Sequence, residues 1–177
     1  MTNPNHLKPL DDYDVVFVDL DDTLIQTTLT LDKLSNAPVS HDTHPSAGRW
    51  ADTHRVYEKS LGIIDIPLYA GADLLLNMLL MSKPHHTVIV ANVEDKGQNW
   101  NNRINALGIW NDHFHMVFLG SSATKIDFLR RYAMRGDVIV TSDLIAVKGQ
   151  ICGTLLVNPD INQNGCSLLD LANHWRT

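Results

Sequence analysis

The sequence predicts an α/β protein: a three-layer α/β sandwich around a mostly parallel, Rossmann-like sheet, carrying a small helical cap insertion. Three observations predict it. First, Val15-Val16-Phe17-Val18 is apolar throughout and three of its four side chains are β-branched, as expected of a strand buried on both faces. Second, four further short strand-like segments, each built on an apolar run, recur at 87–92, 116–120, 137–143 and 154–158. Third, helical spacings lie between these runs, and strands that alternate with helices imply crossover units and a parallel sheet.

Taken in order, residues 1–12 read as a loose leader ahead of the first strand. Residues 26–45 mix Thr, Asn, Ser and His with two prolines, which predicts loops and short pieces on the surface. In 46–62, Trp50, His54, Tyr57 and Leu61 share one helical face and Gly62 stops it, giving one cap helix. The stretch 72–81 is apolar nearly all round, so it reads as a buried helix against the sheet, ended by Lys83-Pro84. Trp100, Ile104 and Leu107 lie at i, i+4 and i+7 before Gly108 and predict an amphipathic helix with Trp100 as a packing residue. Lys125 opens a further helix whose Ile126, Leu129 and Tyr132 share a face, and Pro159 stops the last strand. The predicted core domain is 1–25 and 67–177, with 26–66 as the insertion.

Composition narrows the function classes. Lys plus Arg is 14 against 20 Asp plus Glu, a formal net charge of -6, which disfavours general binding of nucleic acid or an anionic membrane. Cys152 and Cys166 stand without Cys-x-x-Cys spacing, so neither a disulfide framework nor a zinc ribbon is indicated, and a reducing cytoplasm is the simplest compartment. Residues 1–12 are polar and hold Pro4 and Pro9, unlike a secretory signal, and no run reaches the roughly 20 apolar residues of a membrane span. His85-His86 and His113-x-His115 have no third ligand at helical spacing and read as loop and strand-edge residues.

The first strand runs straight into Asp19, Asp21 and Asp22. Alternation along an extended chain puts Asp19 and Asp21 on one side, and two carboxylates sharing a site serve a cation or a developing charge. Ligands of open α/β sheets bind beyond the carboxyl ends of the strands, where Asp19, Asp21, Asn92, 120–122 and Ser142-Asp143 all fall.

Asp19-x-Asp21-x-Thr23 followed by Leu24-Ile25 resembles the nucleophile motif of the haloacid dehalogenase superfamily. The succession of acidic pair, strand-end Asn92, helix-start Lys125 and strand-end Asp143 resembles its four motifs, over roughly residues 15–157. The resemblance implies a Mg2+-dependent phosphatase with a small cap, acting on a small phosphate monoester such as a nucleotide monophosphate through an aspartyl-phosphate intermediate. By the same resemblance Asp19 attacks phosphorus, Asp21 handles the protons, and Lys125 offsets charge. Mg2+ is held by Asp19, the backbone carbonyl of Asp21, and Asp143, while Thr23, Ala91 and Asn92 line the substrate. Two places depart from the pattern. Ala91 stands where the family usually has Thr or Ser, and no second acid follows Asp143 before Lys148. These departures keep open a second expectation, a catalytically weak or inactive member that binds a phosphorylated ligand or a protein partner.

Overall fold

The computed structural model describes residues 7–35, 61–93, 97–120, 122–143, 152–158 and 166–176. The elements are β1 (Val16–Asp19), α1 (Thr27–Ser35), α2 (Ala72–Ser82), β2 (Thr87–Asn92), α3 (Gln98–Leu107), β3 (His115–Leu119), α4 (Ser122–Tyr132), β4 (Val138–Thr141), β5 (Gly153–Leu156) and α5 (Leu168–Trp175). The sheet has the order β3-β2-β1-β4-β5 and every neighbouring pair is parallel. The chain moves from β1 outward to β3, then returns to β4 on the other side of β1. That reversal opens a crevice at the carboxyl end of β1, and Asp19 is the residue that ends it.

Strand alternation splits the core in two. Val16, Val18, Ile89, Val138 and Val140 point to the face covered by α2, Leu107 of α3, and Leu168, Leu171 and Trp175 of α5. Phe17, Val90 and Ile139 point to the other face, which is covered by Leu129 of α4 and by Ala133. The three layers are therefore as predicted, and β1, paired on both edges and buried on both faces, has to be apolar until its last residue. The start of α2 lies close against α5. Gly71 has φ 86°, and a Cβ there would come within 2.7 Å of the Leu169 backbone nitrogen.

Three sequence expectations need correcting. Residues 27–35, read as part of a loop-rich surface segment, form α1; Thr27, Leu31 and Asp32 are buried, and the Asp22 carboxylate accepts from the Thr28 N–H and hydroxyl at its first turn. Residues 7–12 are not a loose leader: Leu10 is buried in a 3-10 turn, and the rings of His174 and Trp175 donate to the carbonyls of Leu7 and Lys8 at 3.0 and 3.1 Å. The helix α2 is not buried all round, since Met81 lies outside the apolar cluster and is 79% exposed. The predicted cap helix, with Trp50, His54 and Tyr57, lies outside the described residues. The helix α5 carries a capping box between Ser167 and Asp170 and had no counterpart among the expected elements. No described helix is long and apolar enough to cross a membrane.

Candidate active site

Asp19 and Lys125 meet at the end of β1. Asp19 is 1% exposed, and its Oδ2 accepts from Lys125 Nζ and from the Thr141 hydroxyl, each at 2.7 Å. Its other oxygen, Oδ1, is buried with no hydrogen-bond partner. Lys125 is not the opening residue of its helix; α4 starts at Ser122, which leaves Lys125 in the first turn, 1% exposed, with Nζ also 3.7 Å from Asp143 Oδ2. Burial works against the Lys125 ammonium, but the carboxylates of Asp19, Asp143 and Asp21 more than offset it and hold its pKa above the ordinary value. The same burial pushes Asp19 up, although Lys125 and Thr141 pull the other way. The Asp19 carboxylate thus sits where further positive charge would stabilise it.

Asp21 is held by a different set. Its Oδ1 accepts from the Thr27 hydroxyl at 2.7 Å and from Arg103 Nε at 2.8 Å, and its Oδ2 is buried without a partner. The two acids therefore each present one unpartnered oxygen. Thr23 is fully buried and its hydroxyl lies 3.0 Å from Ser142 Oγ and accepts from Ser142 N at 3.0 Å. Ser142 in turn donates to the Asp22 carbonyl at 2.8 Å, so this hydroxyl pair braces the turn after β1 against the end of β4 instead of reaching outward. Ala91 is 0% exposed and belongs to the core cluster on the face opposite Phe17 and Val90, whereas Asp19, Val90 and Asn92 share one parity across the paired strands. A substrate contact through the Ala91 side chain therefore has no support in the geometry, and Asn92 keeps its place at the strand end. His85, His86, His113 and His115 are all exposed, as expected of loop and edge residues.

A Mg2+ ion takes hard oxygen donors and is usually held by one or two carboxylates with waters completing its shell. The residues fit such an ion: the Asp19 carboxylate, the half-buried Asp143 carboxylate on the same ammonium, and backbone carbonyls of the acidic turn are all oxygen, and the buried Asp21 Oδ2 and Asp19 Oδ1 leave negative charge without a donor. Among the described residues no three His, Cys, Asp or Glu side chains come together as a metal cluster.

No family model and no curated protein matches the chain. Its structure, however, is similar to a haloacid dehalogenase-like hydrolase, SP0104, from Streptococcus pneumoniae, with TM-score 0.58 and 15% identity over 93% of this chain and 92% of that one. A haloacid dehalogenase-like hydrolase from Burkholderia xenovorans gives TM-score 0.58 and 18% identity over 93% and 99%. CbbY from Rhodobacter sphaeroides, solved in complex with phosphate, gives 0.50 and 14% over 90% and 96%. The chain has the fold of the haloacid dehalogenase superfamily. Within that fold, sequence reading placed Asp19, Asp21, Lys125 and Asp143 at one end of the sheet, and there they lie. It missed Thr141, Thr27 and Arg103. Thr141 was inside a recognised strand, two residues before Asp143, and the parity that points Ile139 toward α4 also points Thr141 at Asp19. Arg103 is one residue off the apolar stripe of α3, and its sequence signal is the polar spacing Asn99, Asn102, Arg103, all three of them buried.

Proposed function

We propose that this chain is a Mg2+-dependent phosphohydrolase of small phosphate monoesters, of which a nucleotide monophosphate is one, working through an aspartyl-phosphate on Asp19. The observation that carries the reading is the Asp19 carboxylate: one oxygen is fixed by Lys125 and Thr141, while the other is buried, unpartnered and therefore open to bond formation. In the first step Asp19 attacks phosphorus, the bond from phosphorus to the ester oxygen breaks, and protonated Asp21 gives its proton to that leaving oxygen. In the second, water attacks phosphorus, Asp21 takes a water proton, and the bond to Asp19 breaks to release inorganic phosphate. Lys125 offsets the repulsion between the Asp19 carboxylate and the anionic ester, and Thr141 keeps the attacking group aimed. Mg2+, held by Asp19, the Asp21 carbonyl and Asp143, would supply the remaining positive charge at the phosphoryl oxygens.

The test is a screen of phosphate monoesters with and without Mg2+, run on the unsubstituted chain and on Asp19→Asn. Metal-dependent turnover lost in Asp19→Asn is the expected result. Turnover that survives without metal, or in Asp19→Asn, would remove the mechanism. Absence of turnover, together with binding of a phosphorylated ligand, would favour the binding protein.

A further inference from the structure

We propose that Arg103 is a positioning residue for Asp21, setting which of its oxygens meets the leaving group; this rests on the phosphohydrolase reading above. Four observations point to it. Arg103 is 5% exposed, on a helix face that buries Asn99, Asn102 and Arg103 beside Leu107, where apolar side chains would normally lie. Its Nε donates to Asp21 Oδ1 at 2.8 Å across 82 positions of sequence, with side-chain exposures of 6% and 14%. The neighbouring Asn102 anchors this part of α3 by accepting from Ile64 N at 3.2 Å and from Gln98 Nε2 at 3.1 Å, and by donating to the Gly62 carbonyl at 3.3 Å. Finally, Thr27 takes the same Asp21 oxygen, so that Oδ1 is fully engaged and Oδ2 is the oxygen without a partner.

A guanidinium is planar, and its Nε–H fixes the direction of a carboxylate more tightly than the rotating ammonium of lysine. Arg103 thereby holds Asp21 with Oδ2 presented, and the proton passes from Oδ2 to the leaving oxygen as its bond to phosphorus breaks. This predicts a dependence on the leaving group. A p-nitrophenolate departs without a proton, whereas an alkoxide needs one. For Arg103→Lys, which keeps the buried positive charge, kcat/KM on an alkyl phosphate should fall about a hundredfold while that on p-nitrophenyl phosphate stays within about threefold, the span that a positioned general acid supplies. The value of kcat should fall on both esters, since Asp21 also takes the water proton in the second step. Arg103→Met should show the same order of losses, only larger.

Equal losses of kcat/KM on the two esters, which a purely structural arginine would give, overturn the proposal and leave the phosphohydrolase reading standing. A gain on the alkyl ester would mean that Arg103 restrains Asp21, and overturns it as well. If the unsubstituted chain turns over no ester of the monoester screen with Mg2+ present, both readings fall.

Discussion

Replacing Lys125 with Met separates what its charge does for folding from what it does for chemistry. The Lys125 and Asp19 side chains are 1% and 2% exposed with Nζ and Oδ2 2.7 Å apart. At an effective dielectric constant of about 20, that separation corresponds to an attraction of roughly 6 kcal/mol. Burying the two ions costs several kcal/mol each, so the intact pair adds little net stability. Removing one partner is different, because Asp19 would then be a buried carboxylate with the Thr141 hydroxyl as its remaining donor. We expect Lys125→Met to lose about 3–5 kcal/mol at neutral pH, and the Asp19→Asn/Lys125→Met double variant to return to within about 1 kcal/mol of the starting chain. The loss should also shrink on acidification. Burial raises the Asp19 pKa in the folded state, so that state binds a proton more tightly than the unfolded chain; the stability gained by protonation is present at low pH and is lost as pH rises through the folded value. Equilibrium urea unfolding followed by tryptophan fluorescence, at acid and neutral pH, measures all of this. Equal destabilisation in the single and double variants would refute the argument, since it would mean that the lysine stem, and not its charge, is what the fold needs.

Two further outcomes follow from neighbouring residues. Burial pushes Asp22 up to about 6 from 3.8, so the folded state should lose stability as pH rises through that window, by on the order of 3 kcal/mol, and level off above it. Asp22→Asn keeps an oxygen for the Thr28 N–H and tolerates φ 56°, so its urea stability should fall less steeply over the same window; an unchanged slope would locate the effect elsewhere. Ala91→Ser should give no gain in turnover and should lose about 1–3 kcal/mol, because its hydroxyl would enter the apolar face of the sheet without a partner. Faster turnover in this variant would show that position 91 faces the phosphoryl group after all.

The strands were legible because a parallel sheet covered on both faces demands unbroken apolar runs, and 15–18, 88–91 and 138–140 are such runs. The acid pair was legible because carboxylates seldom follow such a run without a use. Lys125 was legible by order along the chain but not by environment. A lysine in the first turn of a helix usually reaches water, and only the fold shows it buried against Asp19. The helix α1 was hidden by its threonines, which are weak helix formers; buried Thr27, Leu31 and Asp32 and the Asp22 cap stabilise it, and those are tertiary facts. Arg103 could not be paired from sequence because its partner is 82 residues away.

The central claim is that Asp19 forms a covalent bond to phosphorus, and the direct measurement is to trap it. With the best substrate from the monoester screen and Mg2+ present, acid quenching during turnover followed by peptide mass mapping should find one phosphoryl group on the peptide holding Asp19. With p-nitrophenyl phosphate, whose leaving group needs no proton, it should accumulate in Asp21→Asn, where breakdown loses its base, and with any substrate it should be absent in Asp19→Asn. Steady turnover with no adduct at Asp19, or an adduct on another residue, would contradict the account.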